Sequence, residues 1–152
     1  MIRFALTLSA FVLALHLAPV AALAKDHDNV GKDHLAVQGY DVVSYFSGKP
    51  TSGDARITAT HGGHTYRFSS EENRKAFAAA PDKYAPQYGG WCATAMAKGD
   101  KVEIDPKTFK VTNGRLFLFY NGFWGNALKD WNVDEAGLTR KADTQWHQIK
   151  AQ

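Results

Sequence analysis

Hydrophobic and polar positions change rhythm several times along this 152-residue chain. The clearest rhythm is two-residue alternation in "ARITATHGGHTYRF", where two alternating runs flank Gly62-Gly63. A two-residue turn needing positive φ suits that pair, so a β-hairpin is expected. "FKVTNGRLFLFY" repeats the pattern around Asn113-Gly114 and predicts a second hairpin. Helical signals lie between and after the hairpins. Asp41 is placed to cap a short helix over 42–46, ended by Gly48 and Pro50. Ser69 and Glu72 fit a capping box for a helix that Pro81 stops. "WCATAMAKG" reads as a short helix closed by Gly99, "GFWGNALKDW" as helical, and residues 135–150 as a helix capped by Asp134. Hairpins interspersed with short helices predict an α+β domain with a small antiparallel sheet built from the two hairpins.

Register sharpens the first hairpin. Across a two-residue turn His61 opposes His64, which sets Ala59 against Tyr66 and Ile57 against Phe68, all on one apolar face. Thr58, Thr60, Thr65 and Arg67 take the other face. In the second hairpin Phe109, Val111, Leu116, Leu118 and Tyr120 share a face, while Phe117 and Phe119 share the opposite one with Lys110, Thr112 and Arg115. Apolar residues on both faces predict a sheet covered on each side, by the C-terminal helices in preference to a second copy.

The N-terminus has a different pattern. One charge, Arg3, precedes an apolar stretch from Phe4 to Leu17, and Ala22-Leu23-Ala24 supplies a small-x-small cleavage signal. Residues 1–24 are expected to be a signal peptide of the general secretory route, leaving residues 25–152 in the periplasm or secreted, without a stable membrane anchor. Residues 25–35 read as a charged, flexible lead-in whose His27 and His34 are solvated. The domain is expected over 36–150.

Composition then excludes several classes. Losing Arg3 takes the formal charge from +3 to +2, and no basic run concentrates it, which argues against nucleic acid. One cysteine cannot form an internal disulfide. No phosphate-binding glycine loop, serine elbow or zinc-protease helix is present, and the carboxylate pairs Glu71-Glu72 and Asp134-Glu135 sit at helix starts, where they complement the dipole.

Two features carry candidate chemistry. His61 and His64, with Cβ atoms about 5 Å apart across the strands, are able to share a metal ion, or to sit at the core rim bonded to loop carbonyls or water. Cys92 is the candidate third ligand, and a His2Cys set suits copper or zinc. Cys92 is alternatively a core residue or, near a helix start, a thiol nucleophile with histidine as base. "GFWGN" sets Phe123 and Trp124 between glycines as an exposed loop for a ligand or protein partner.

The stretch "GGHTYRFSSEENRKAFAAAPDKY" resembles the YHS domain family, with Gly63, Tyr66, Phe68, Ser70, Phe77, Pro81 and Tyr84 in that family's spacing. Flanking "AVQGYDVVSYFSGKP", "APQYGGWCATAMAKG", "NGRLFLFYN" and "RKADTQW" are similar to its exported single-domain members. The resemblance implies a non-enzymatic module connected with metal handling, in which many members bind metal through two cysteines. Ser69 and Asn73 stand at those two positions here. The expected function is therefore a transition-metal binding module, for copper or zinc, using His61, His64 and Cys92. The alternatives are an interaction or small-ligand module without metal, and a thiol enzyme centred on Cys92.

Overall fold

The computed structural model describes residues 27–152. The leader expected over residues 1–24 lies outside the described residues.

Both hairpins form, with the turns the sequence predicts. β1 (Asp54–His61) pairs antiparallel with β2 (His64–Phe68). Gly62 and Gly63 take φ of 59° and 83°, a left-handed pair that glycine adopts without a Cβ clash. His61 opposes His64 and Ala59 opposes Tyr66, as expected. Further from the turn the register departs from expectation, because an irregularity between Asp54 and Thr58 sets Phe68 against Asp54 instead of Ile57. Gly53 accompanies this shift. A Cβ there would lie 2.5 Å from the Arg67 carbonyl carbon, so only glycine lets the two backbones cross so closely.

α1 (Glu71–Ala79) follows, then α2 (Pro81–Tyr84), with Pro81 ending the first helix and opening the second. The cap of α1 is Ser70, not Ser69: the Ser70 hydroxyl accepts from the Asn73 amide. Ser69 is engaged elsewhere. Its amide and hydroxyl, together with the Asn73 side-chain amide, donate to Oδ2 of the fully buried Asp41 at 2.9, 2.6 and 2.7 Å. Asp41 Oδ1 accepts from the Val43 amide, so this carboxylate latches the segment before β1 onto the start of α1. The helix expected over 42–46 is a 3-10 turn at Ser44–Ser47, closed by Gly48 at φ 75°.

After a left-handed bend at Tyr88, Gly89 and Gly90 comes the short α3 (Ala93–Met96). β3 (Asp105–Thr112) and β4 (Arg115–Phe119) make the second hairpin, in the expected register near Asn113-Gly114. β4 is buried on both faces. Leu116 and Leu118 join a core with Tyr45, Phe68 and Phe77, whereas Phe117 and Phe119 pack with Trp131 and Ala142. Those last two belong to α4 (Ala127–Val133) and α5 (Glu135–Lys150), so the protein's own C-terminal helices cover the outer face. Burial of this many large side chains, each worth about 1.5–3 kcal/mol, is the main force holding the domain.

Two expectations are corrected. The segment read as helical from Gly122 begins instead with a miniature hairpin, β5 (Asn121–Gly122) and β6 (Gly125–Asn126), with Phe123 and Trp124 at its apex. Gly125 at φ 112° is incompatible with a right-handed helix, and Asn126 then caps α4 by accepting from the Leu128 amide. The hairpins also stay separate: the strands described form three two-stranded ribbons, and the α+β domain is assembled by packing across them.

Candidate functional site

An open cleft of about 1040 Å³ runs from the turn end of the first hairpin to the last turns of α5. His27, His34, His61, His64 and His147 all line it, which is every histidine among the described residues. Asp28, Asp82 and Asp143 line it too.

His61 and His64 reach the cleft because they oppose each other at the end of β1 and β2. Each ring is held by a carboxylate from a different element. His61 Nε2 lies 3.0 Å from Asp82 Oδ1, on α2, and His64 Nε2 lies 3.1 Å from Asp28 Oδ2, on the N-terminal segment. A neutral imidazole that donates from Nε2 carries its lone pair on Nδ1, so these contacts select a tautomer as well as an orientation. Phe77 packs edge-on to the His61 ring with centroids 6.0 Å apart. The His34 ring stacks on His64 at 6.5 Å.

Residues 27–30 and His34 form one wall of the cleft. The Trp91 indole donates to the His27 carbonyl at 2.8 Å, and the Asn29 amide donates to the Gly89 carbonyl at 2.8 Å. The Thr65 amide donates to the His34 carbonyl at 2.8 Å, tying this wall to β2. His27 is buried, contrary to the solvated role expected of it. This grouping was missed because it arises from contacts about thirty to sixty residues apart, which no local pattern reports.

At the far end, Asp143 accepts from the Tyr88 hydroxyl and from Arg115, whose guanidinium also donates to Gln87. Burial acts to raise the Asp143 carboxyl, and the hydrogen bonds from Arg115 and Tyr88 outweigh it, so the net shift is downward. Burial pushes the Tyr88 phenol up, and the Asp143 charge adds to that. Tyr66, on the cleft floor, is pushed up to about 12 by burial and then by the charges of Asp28 and Asp82.

Cys92 is placed elsewhere. It is 1% exposed, does not line the cleft, and packs in the core with Tyr66, Phe68, Leu116 and Leu118. Its amide donates to Val102 and its backbone bridges Leu118 of β4, which anchors it beneath the second hairpin. Among the described residues no three His, Cys, Asp or Glu side chains are gathered closely enough to hold a metal ion as they stand. The structure therefore brings His61 and His64 together and leaves Cys92 out of their ligand set. Burial also leaves the thiol without the substrate access that a nucleophile needs.

Phe123 and Trp124 are 90% and 86% exposed, and every other aromatic side chain among the described residues is buried or half-buried. No helix among the described residues is long and apolar enough to cross a membrane. No family model, curated protein or solved structure matches this chain.

Proposed function

We propose that the protein is an exported, non-enzymatic binding module of YHS-like type that takes a transition-metal ion, zinc or copper(II), on the histidines of its cleft. The observation that carries this reading is the convergence of five histidines on one cleft, with His61 and His64 each backed by a carboxylate. Metal-ligating imidazoles commonly donate their second nitrogen to a carboxylate, which fixes the tautomer and raises the basicity of the ligating nitrogen. With Asp82 and Asp28 on the Nε2 side, Nδ1 of each ring is the ligating atom. His34, stacked on His64 and exposed to solvent, is the third donor, reached by rotation of its ring. An all-imidazole set lacks the thiolate that favours copper(I), hence the choice of zinc and copper(II). The leader sequence and the resemblance to exported YHS domains support the location.

The test is titration of the purified protein with zinc and copper(II), followed by calorimetry and native mass. One equivalent should bind saturably. His61→Ala and His64→Ala should each weaken it by at least about 100-fold, more than the about 10–100-fold loss of an outer-shell change, and Cys92→Ala should leave it unchanged. Absence of saturable binding, or binding that depends on Cys92 and ignores both histidines, refutes the proposal.

A further inference from the structure

The β5–β6 hairpin has no role in the cleft, and its composition is unusual for its geometry. The apex of a two-residue hairpin normally carries glycine, asparagine or aspartate, the residues that tolerate its backbone. Here the two apex residues are Phe123 and Trp124, flanked by Gly122 and Gly125. Their rings pack only on each other, edge to face with centroids 4.8 Å apart. Nothing in the fold covers them.

The hairpin is built to be firm. Asn121 donates to Thr108 at 3.1 Å, which pins its base to β3. Beneath the apex, the Tyr120 hydroxyl accepts from the Trp124 amide at 3.2 Å. Gly122 allows that approach, since a Cβ there would lie 2.7 Å from the Tyr120 hydroxyl oxygen. The apex amide that would otherwise face outward is thus satisfied from within. That matters for entry into an apolar medium, where an unpaired backbone N–H is costly. It would matter little in water.

The size and shape of the tip select among occupants. Two aromatic side chains present on the order of 400 Å². A stable protein interface uses about 800 Å² per partner. The tip is convex, and a small convex aromatic wedge fits a deformable partner. Tryptophan beside phenylalanine is the chemistry of the bilayer interface, where an apolar ring is buried and the indole N–H stays wet. Without Arg3 the exported chain carries a formal charge of +2, which does not oppose approach to an anionic headgroup layer.

We infer that the Phe123–Trp124 tip inserts reversibly into the interfacial region of an anionic lipid bilayer. This inference is independent of metal binding. The test uses equimolar phosphatidylcholine–phosphatidylglycerol vesicles, co-sedimentation, and tryptophan emission with and without brominated acyl chains. Wild-type protein should sediment with the vesicles, shift its emission to the blue, and be quenched by the brominated lipid. The doubly substituted Phe123→Ser/Trp124→Ser protein should lose binding by at least about tenfold. Trp124→Phe should keep most of the binding and lose the shift and the quenching, which identifies the indole that enters. Gly122→Ala, which displaces Tyr120 from the apex, should weaken binding with both aromatics retained. The inference is overturned if the wild-type protein does not sediment, if the doubly substituted protein sediments equally, or if the bound wild-type protein shows no quenching.

Discussion

Replacing Asp41 with alanine should be among the most damaging single changes in this domain, although Asp41 does not line the cleft. The side chain is fully buried and accepts four hydrogen bonds, from the amides of Val43 and Ser69, the Ser69 hydroxyl and the Asn73 side chain. Hydrogen bonds to a charged acceptor contribute about 1.5–3 kcal/mol each, but their sum overstates the loss. Ser69 is exposed and Asn73 half-exposed, so their side chains can turn to water once the carboxylate is gone. The two main-chain donors have no such recourse, and stranding each costs about 1–3 kcal/mol. Relief of the carboxylate's own desolvation offsets part of this. The net expectation is about 2–4 kcal/mol, set mainly by the two stranded main-chain donors. Asp41→Asn keeps one acceptor oxygen but turns an NH2 toward donors, and should cost about 2–3 kcal/mol. Urea unfolding followed by tryptophan emission measures both. A cycle with Ser69→Ala should give a coupling of about 1–2 kcal/mol. A loss below about 1 kcal/mol for Asp41→Ala would refute the reasoning, because Val43 and Ser69 would then have found other acceptors.

Three further outcomes follow from the geometry. Gly89→Ala places a Cβ 2.5 Å from Asp28 Oδ1 and 2.9 Å from its Cα, at φ 60°, so it should push the wall at residues 27–30 outward and weaken zinc binding by about tenfold with far-UV dichroism unchanged; unchanged zinc affinity would show that Asp28 does not orient His64. Burial raises the phenols of Tyr45, Tyr66 and Tyr88, so folding favours their neutral forms. The stability they contribute is complete below the unfolded value near 10 and is lost as pH climbs above it, through about 12 for Tyr66 and still further for the more strongly raised Tyr45 and Tyr88; phenolate absorbance recorded with dichroism should show these three ionising only as the fold is lost, and ionisation near pH 10 in folded protein would contradict their burial. Cys92→Ala removes one buried sulfur and should cost roughly 1 kcal/mol in urea unfolding, and a large change in zinc affinity would mean that the thiol reaches the cleft.

Local chemistry made the hairpins legible. Gly62-Gly63 and Asn113-Gly114 fix two-residue turns, and alternation fixes which residues share a face near each turn. Phe117 and Phe119 opposite Leu116 and Leu118 announced a strand buried on both sides, which α4 and α5 then cover. Legibility fails where the cause is tertiary. The register shift between Asp54 and Thr58 goes with the close crossing of Gly53 and Arg67, a contact no alternation encodes. A two-strand ribbon of two residues each is too short to have a period, so residues 122–126 read as helix. In the site, the opposition of His61 and His64 was legible from the turn. The recruitment of His27 was not, because Trp91 and Gly89 hold its segment through contacts remote in sequence. For Cys92 the sequence left core residue, ligand and nucleophile open, and its bridge to Leu118 goes with the core reading.

The latch and the cleft are joined through α1. Asp41 fixes the start of that helix by way of Ser69 and Asn73, the two positions where the resemblance leads one to look for cysteines. One face of the same helix presents Phe77, whose ring packs on Tyr66 and Phe68 and meets His61 edge-on. Asp82, which holds His61 Nε2, lies one turn beyond the end of α1 on α2. A shift of α1 therefore moves both the aromatic wall and the carboxylate that orient His61. An oxygen and nitrogen latch here supports His61, the proposed ligand, from some distance away, where a cysteine pair would itself offer ligands. On this reasoning Asp41→Asn, at a temperature where it remains folded, should weaken zinc binding by up to about tenfold, the lower end of what an outer-shell change costs. The loss should be smaller in a protein already carrying His61→Ala, because both changes act through the same imidazole. Equal losses in the two backgrounds would place the effect of Asp41 on general stability and disconnect the latch from the cleft.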